Sequence, residues 1–236
     1  MTVNGVIIFS RLDSNRLPGK VMLDISGRPL LGRVIDRAKC IPEANKIIVA
    51  TSSRSIDDPI ATFANAEGVD LFRGSIDDVA LRALCACDEF NITKFARICG
   101  DRPFFDPDVV SHLFAIHEDG VDLATTSFPR TYPPGLTGEV IRTEALRRAL
   151  SQTDDPEDKE HITRYFYQHP NEFVIRNIEA PKDIDLNGLR LVVDDESDLA
   201  RARWIASGVV KNGKDNCRNL RQVVDLAREW DRINLV

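Results

Sequence analysis

The chain has 236 residues, of which 43% are hydrophobic and 29% are charged, and its formal net charge is -6. This composition is typical of a globular protein, and the negative charge argues against a general attraction to nucleic acid or to anionic lipid. No apolar run reaches the roughly 20 residues that a membrane-spanning helix needs, and the first residues lack the pattern of a signal peptide. We therefore expect a cytoplasmic metabolite enzyme with one domain, residues 1–236, that binds neither nucleic acid nor membranes.

Segments with strand and helix patterns alternate through the first half of the chain. Strands are predicted at residues 5–9, 46–51, 69–73 and 94–99, and helices at 29–40, 55–67, 78–90 and 108–118. Pro29 stands where a helix N-terminus tolerates proline, and Gly68 is a common C-terminal stop. This alternation is typical of a parallel sheet with helices packed on it.

The second half is less regular. A strand is predicted at 121–126, helices at 143–151 and 157–168, strands at 172–179 and 189–193, and two further helices that begin near 197 and 217. Residues 128–135 are too rich in proline for a strand interior, and we interpret them as an insertion after residue 126 that carries an acceptor pocket or a dimer contact. The predicted fold class is α/β, a mostly parallel Rossmann-like sheet with helices on both faces.

The five cysteines are odd in number and form no paired Cys-x-x-Cys arrangement. Cys85 and Cys87 have the spacing of small side chains in a helix, and no nearby histidine completes a structural metal site. We expect the thiols to be reduced, as in a bacterial cytosol. The other cysteines are Cys40, Cys99 and Cys217.

A basic loop follows the first strand directly. It carries Arg11, Arg16 and Lys20 and contains a Pro-Gly turn. Ligands of open α/β sheets bind at the carboxyl ends of strands, and cations there can hold phosphate oxygens. The loop therefore predicts a polyphosphate site. The position, the charge and the turn residues of the loop all favour phosphate binding, which argues against an ordinary solvated loop.

Two carboxylates follow other predicted strands. Asp101 comes directly after 94–99, and Asp194 directly after 189–193. Both are suited to holding Mg²⁺ against a triphosphate, although either could instead cap a turn or a helix. We expect Asp194 to face the crevice while Asp195 or Ser197 caps the next helix.

Small hydroxyl side chains at the end of the second strand, Thr51 and Ser52, could contact a base or a ribose, but they are also ordinary N-cap residues. Arg82 follows Asp78 by four residues on a predicted helix, so an ion pair along the helix is the simpler explanation for it.

Acceptor contacts are harder to identify. His161 and Arg164 are candidates, although a lone helical histidine is more often structural. The sequence shows no Ser-His-Asp or Cys-His arrangement, and it contains neither Gly-x-Gly-x-x-Gly nor Gly-Lys-Ser/Thr. These absences argue against dehydrogenases and P-loop enzymes.

Residues 11–20 resemble the Arg-x-x-Ser-x-Arg-Leu-Pro-Gly-Lys nucleotide loop of a cytidylyltransferase family. This family includes the spore coat polysaccharide biosynthesis F-type proteins and is related to CMP-Kdo synthetases and acylneuraminate cytidylyltransferases. Further similar segments follow in the same order at 49–52, 73–82, 100–103, 130–133, 160–163 and 190–194. The likeness therefore extends from the first predicted strand to about residue 199.

The resemblance implies a glycosyltransferase-A-like nucleotidyltransferase fold, Mg²⁺ as cofactor, CTP as substrate and a homodimer. It implies that Arg11 and Lys20 act near the triphosphate, with Asp101 as a further catalytic residue. Asp101 and Asp194 match the metal positions. The nucleotide-binding residues would be Arg11, Leu12, Ser14, Arg16, Lys20, Thr51, Ser52, Arg82 and Gly100.

The acceptor region departs from the family pattern. Where relatives carry Pro-Asp-Gly-Leu-Asp-Val-Glu-Val, residues 133–140 are Pro-Pro-Gly-Leu-Thr-Gly-Glu-Val. We expect acceptor contacts from Tyr132, Glu139, His161 and Arg164, and the acceptor stays open as a sugar acid or another small molecule of surface polysaccharide biosynthesis.

Three other functions stay open from the sequence. One is a nucleotidyltransferase that uses another NTP on a sugar 1-phosphate, and another is a nucleotide-binding relative without catalysis, which only the altered acceptor region supports. The third is a glycosyltransferase, which the Arg-Leu-Pro-Gly-Lys segment disfavours.

Overall fold

A seven-stranded sheet lies at the centre of the computed structural model, which describes residues 2–211, 214–215, 217 and 219–234. Its strands are β1 (Asn4–Phe9), β2 (Lys46–Ser52), β3 (Asp70–Gly74), β4 (Lys94–Cys99), β5 (Leu123–Thr125), β6 (Glu139–Arg142) and β7 (Ile175–Asn177). The strand order is β3-β2-β1-β4-β6-β5-β7. Strand β6 runs antiparallel to both of its neighbours, while the other pairs are parallel.

Helices connect these strands and close the chain. They are α1 (Leu30–Ala38), α2 (Asp58–Ala66), α3 (Val79–Glu89), α4 (Pro107–Ile116), α5 (Thr143–Leu150), α6 (Pro156–Glu160), α7 (Arg164–Gln168), α8 (Glu196–Val209) and α9 (Leu220–Asn234). Short 3-10 turns occur at Lys20–Met22 and Ser55–Asp57, and β8 (Val210–Lys211) pairs with β9 (Lys214–Asp215). Over the described ranges, no helix has the length and apolar character needed to cross a membrane.

The core lies on both faces of the sheet. Along β1, Val6 and Ile8 belong to one buried apolar cluster and Ile7 belongs to the other. Because successive side chains of a strand point to opposite faces, an unbroken apolar run is what a strand covered on both sides requires. The α/β prediction with helices on both faces is confirmed.

Most predicted elements occur within a few residues of their expected bounds, but three differ. The predicted strand 189–193 is not a strand. Its backbone pairs with loop residues instead of a neighbouring strand: Leu191 donates to the carbonyl of Pro134 at 2.8 Å, and Val193 donates to that of Asp101 at 2.9 Å. The predicted helix 157–168 is broken into α6 and α7. Strand β6 was not predicted, and it follows residues 128–135, which we interpreted as an insertion.

One pair of cysteines contradicts the expectation of reduced thiols. Cys40 and Cys217, which are 177 residues apart, form a disulfide that joins the end of α1 to the segment before α9. No local spacing in the sequence reveals this pair, because the fold alone brings the two residues together. Cys85, Cys87 and Cys99 are free thiols.

Candidate active site

A cavity of about 380 Å³ lies at the carboxyl ends of β1 and β4. Most of the predicted catalytic, nucleotide and metal residues border it, namely Arg11, Ser14, Arg16, Lys20, Arg82, Gly100, Asp101 and Asp194. Other residues bordering it were not predicted for this site, namely Phe9, Ser10, Asn15, Val21, Val79, Arg97, Cys99, Glu160 and His161. The strand-end position explains why segments distant in sequence meet here.

Lys20 is the most enclosed cation of the basic loop. The preceding Gly19 adopts a left-handed conformation with φ of 72°, which lets the chain turn inward at this point. The Lys20 Nζ donates to Asp101 Oδ2 at 2.9 Å, to Asp194 Oδ1 at 2.8 Å and to the carbonyl of Val193 at 2.7 Å. An ammonium has three N–H donors, so each of them has an acceptor.

Asp194 receives further positive charge from two arginines. Arg16 forms an ion pair with its Oδ2 at 2.9 Å, and Arg190 also donates to that oxygen. Burial by itself raises the pKa of Asp194, but Lys20, Arg190 and Arg16 together outweigh it, so the pKa lies below its usual range. Asp195 accepts from the backbone of Asp198 at 2.9 Å and caps α8, as expected.

Asp101 and Asp194 form a donor set that fits Mg²⁺. Both carboxylates border the cavity and share the Lys20 ammonium, so they lie next to each other. Mg²⁺ typically takes one or two protein carboxylates and completes its coordination with phosphate oxygens and water. Within the described ranges, no group of three or more His, Cys, Asp or Glu could hold a metal by itself, so a nucleotide would have to supply further ligands.

Gly100 lets two strand-end loops approach each other closely. Its N–H donates to the carbonyl of Phe9 at 2.8 Å. A Cβ at this position would lie 2.0 Å from Ser10 Oγ and 3.1 Å from the Phe9 carbonyl oxygen. Glycine is therefore needed where β1 and β4 end side by side.

Arg82 is turned into the cavity wall. Asp78 caps α3 by accepting from the backbone of Leu81 at 2.7 Å, while Arg82 Nη1 donates to the carbonyl of Ser75 at 2.9 Å. The ion pair along the helix that offered a simpler explanation for Arg82 is not formed in the described structure. Burial lowers the pKa of Arg82, whose residue is only 4% exposed.

Three predicted nucleotide contacts do not border the cavity. Leu12 donates from its backbone to Asp57 Oδ1 at 2.8 Å, and the Ser52 hydroxyl donates to the other oxygen of that carboxylate. Thr51 and Ser52 are completely buried. The Asp57 carboxylate thereby connects the basic loop to the end of β2. Leu12 and Ser52 hold the loop in place on the side away from the cavity.

A second cavity, of about 500 Å³, adjoins the first. Three predicted acceptor residues, Glu139, His161 and Arg164, border it, whereas Tyr132 is 5% exposed and packs in the apolar core. Its other bordering residues are Arg97, Ser127, Phe128, Arg130, Thr163, Tyr167 and Gln168. The ring of Phe128 stacks on that of Tyr167, with 5.2 Å between centroids, and gives the cavity one aromatic wall.

Arg97 was not predicted as a site residue. It lies on β4, a strand whose neighbouring residues Phe95, Ala96 and Ile98 are fully buried. Charged side chains are rare in such buried strands unless they are paired. The arginine within this apolar strand was therefore the sequence feature that could have identified Arg97 as a site residue.

Residues 5–196 match the protein-family model described as cytidylyltransferase. The chain belongs to the cytidylyltransferase family. It is 29% identical over 199 residues to the spore coat polysaccharide biosynthesis protein SpsF of Bacillus subtilis, a match that covers 81% of each chain. It is 31% identical over 155 residues to a 3-deoxy-manno-octulosonate cytidylyltransferase of Anaeromyxobacter sp. strain K, which covers 64% of this chain and 60% of that protein.

A solved structure supports the same assignment. The structure of a cytidylyltransferase from Leptospira borgpetersenii superposes with a TM-score of 0.86 at 27% identity, covering 100% of this chain and 96% of that one. As a member of the cytidylyltransferase family, the protein is a nucleotidyltransferase. All residues that border the two cavities lie within the matched range 5–196, which links the family to the geometry of the site.

Proposed function

We propose that this cytidylyltransferase transfers CMP from CTP to a sugar acid or a similar small acceptor, with Mg²⁺ as cofactor and with release of pyrophosphate. The observation that carries the proposal is the Lys20 ammonium, held between Asp101 and Asp194 at the border of a cavity at the strand ends. This arrangement combines the cation and the carboxylates that a triphosphate and its metal ion require.

The basic loop stabilises the negative charge of the triphosphate. Lys20 supplies a fixed charge, whereas Arg11 and Arg16 have side chains that are 47% and 62% exposed. Exposed arginines can turn onto a ligand at little cost in lost packing. During the reaction these cations offset the charge on the reacting phosphate and on the leaving pyrophosphate.

Asp101 and Asp194 would hold the metal. When bound, Mg²⁺ acts as a Lewis acid on triphosphate oxygens and draws electron density from the α-phosphorus. An acceptor hydroxyl loses its proton to solvent as its oxygen attacks the α-phosphorus in line. The bond between the α-phosphorus and the oxygen that bridges it to the β-phosphorus breaks, and pyrophosphate leaves. No covalent enzyme intermediate is needed, because positioning and electrostatics dominate phosphoryl-type transfers.

The second cavity is the place for the acceptor. It adjoins the nucleotide cavity, and its Phe128–Tyr167 wall offers an apolar surface for the face of a sugar ring. The names of two relatives support the acceptor class: one is a 3-deoxy-manno-octulosonate cytidylyltransferase, and the other is a spore coat polysaccharide biosynthesis protein. The family resemblance also supports a homodimer, which light scattering of the purified protein tests.

The test measures pyrophosphate release from CTP and Mg²⁺ with 3-deoxy-manno-octulosonate and N-acetylneuraminate as acceptors. We expect Lys20→Ala and Asp101→Asn to lower turnover by at least about 100-fold, because the first removes a cation that binds the triphosphate and the second removes the negative charge of a metal-binding carboxylate. Lys39→Ala and Asp70→Asn are matched controls, since neither residue borders a cavity described above. Wild-type turnover in Lys20→Ala or in Asp101→Asn would contradict the assignment.

A further inference from the structure

Arg97 and His161 are, among the residues that the structure describes, the two that border both cavities. If the nucleotide occupies the first cavity and the acceptor the second, the acceptor oxygen and the α-phosphorus meet between them. Side chains at this junction are therefore placed to act on the reacting groups. The His161 side chain is largely exposed, and its Nε2 lies 3.7 Å from Glu157 Oε2. The Arg97 side chain is only 20% exposed.

A buried hydrogen-bond network fixes the position of Arg97. Its Nη1 donates to Glu139 Oε2 at 2.9 Å. The other carboxylate oxygen, Oε1, accepts from Thr163 Oγ1 at 2.8 Å and from the Tyr167 hydroxyl at 2.6 Å. Tyr167 lies 2.7 Å from Thr125 Oγ1, which continues the network onto β5.

The network keeps Glu139 ionised. Burial by itself raises the pKa of Glu139, but the charge of Arg97 and the hydrogen bonds from Tyr167 and Thr163 hold it below its usual range. Burial also raises the pKa of Tyr167, so its hydroxyl stays protonated and donates. Both oxygens of Glu139 are thus engaged by the protein itself.

Arg97 has donors left over. A guanidinium carries five N–H groups, and the buried Nε of Arg97 has no hydrogen-bond partner in the described structure. The Nε is enclosed by protein, so the donors that a ligand in the cavities can reach are the N–H groups of the two Nη atoms that Glu139 does not use. The nearby Arg164 is already engaged, since it pairs with Asp158 at 2.6 Å and with Asp155 at 2.9 Å.

We propose that Arg97 binds an oxyanion of the acceptor at the junction of the two cavities, and that Glu139 is a positioning residue that holds the guanidinium there. This inference rests on the proposed function and changes the expected role of Glu139, which orients Arg97 and does not contact the acceptor. A carboxylate is a good match for a guanidinium because two parallel N–H groups can bind its two oxygens. The site therefore selects acceptors with an anionic group beside the attacking oxygen.

The experiment measures acceptor affinity by calorimetry, with the protein saturated by the unreactive nucleotide α,β-methylene-CTP and Mg²⁺. The acceptor probes are 3-deoxy-manno-octulosonate and N-acetylneuraminate, with glucose 1-phosphate as the phosphate source of an oxyanion. We expect Arg97→Met to weaken binding of at least one probe by roughly 10–100-fold, with nucleotide affinity within about threefold of wild type. Arg97→Lys should recover only part of the loss because an ammonium lacks the planar fork.

A double-mutant cycle distinguishes positioning from simple structural support. Glu139→Gln should weaken acceptor binding by roughly threefold to tenfold in the wild type and have no further effect in Arg97→Met. The double variant also avoids leaving the Glu139 carboxylate buried without a cation, so it stays informative if Arg97→Met alone does not fold. Arg147→Met, on the exposed side of α5, is the control for loss of an arginine.

Several results would overturn the inference. One is wild-type acceptor affinity in Arg97→Met, and another is an equal loss of nucleotide and acceptor affinity in that variant. The inference would also fail if the effects of Arg97→Met and Glu139→Gln were additive, or if the wild-type protein with nucleotide bound did not bind any probe. The proposed function fails differently, by absence of nucleotide binding in the wild type or by wild-type turnover in Lys20→Ala or Asp101→Asn. The two failures are therefore separable.

Discussion

Lys20 joins segments that lie far apart in the chain. Its ammonium contacts one carboxylate after β4 and another just before α8, so the basic loop, Asp101 and Asp194 are fixed relative to one another. Triphosphate oxygens are acceptors of the same kind as these carboxylates. A bound nucleotide can therefore exchange with them for the same N–H donors, which keeps the Lys20 charge paired.

Gly100 allows a test of the close approach between the two strand-end loops. We expect Gly100→Ala to destabilise the protein by about 1–3 kcal/mol and to weaken nucleotide binding, because the new Cβ would lie 2.0 Å from Ser10 Oγ. Urea unfolding and calorimetry with CTP measure the two effects. The double variant Ser10→Ala/Gly100→Ala should recover part of the stability, since the closest atom is gone while the Phe9 carbonyl oxygen remains at 3.1 Å. A Gly100→Ala protein as stable as wild type would refute the close packing.

The sequence predicted the residues whose signal is local. The basic loop and Asp101 directly follow apolar strands, so their arrival at one sheet edge follows from the fold class. The Arg97–Glu139 pair is different, because it joins residues 42 positions apart on strands whose adjacency the sequence does not show. Thr51 and Ser52 have the same strand-end signal as Asp101, but in the structure they are buried behind the loop.

At the level of secondary-structure elements, six of the seven strands of the central sheet were predicted from the sequence, and β6 was not. Strands β1 to β4 are apolar and alternate with helices, which identifies them individually. Strand β6 has four residues and lies between β4 and β5, out of chain order, so no local pattern assigns its neighbours. Its position matters for function because it carries Glu139 next to Arg97 of β4.

The end of α4 contains a buried histidine that should make stability depend on pH. Lys94 Nζ donates to the carbonyl of His117 at 3.0 Å, and His117 itself is 4% exposed. Burial, together with the positive charges of Lys94 and Arg142, lowers the pKa of His117 to about 4. The unfolded chain therefore binds more protons than the native protein between about pH 4 and 6.5, so native stability falls as the pH falls through this window.

We expect this histidine to cost about 2 kcal/mol of stability between pH 7 and pH 5. His117→Asn should remove that part of the pH dependence, whereas His112→Asn, at an exposed position of the same helix, should not. Urea unfolding of the three proteins at both pH values provides the comparison. Equal losses in wild type and His117→Asn would show that the buried histidine does not titrate in this way.

At the scale of the whole molecule, the chain has a negative net charge, but several of its cationic side chains lie together at one site. The net charge is -6, yet Arg11, Arg16, Lys20, Arg82 and Arg97 all border the first cavity. Such a distribution favours a small anionic ligand over an extended polyanion, because the positive potential is local. The Cys40–Cys217 disulfide is also a property of the whole fold, and a prediction based on sequence spacing could not include it.

The central claim is that this site holds CTP for transfer of its CMP group. The most direct measurement compares pyrophosphate release with CTP, UTP, GTP and ATP at equal concentration, with Mg²⁺ and a panel of sugar acids, together with mass spectrometry of the nucleotide-linked product. We expect CTP to be used at least about 10-fold faster than the other nucleotides, with a CMP-linked acceptor as the product. Faster turnover with another nucleotide, or tight binding of CTP without turnover on any sugar acid, would contradict the account.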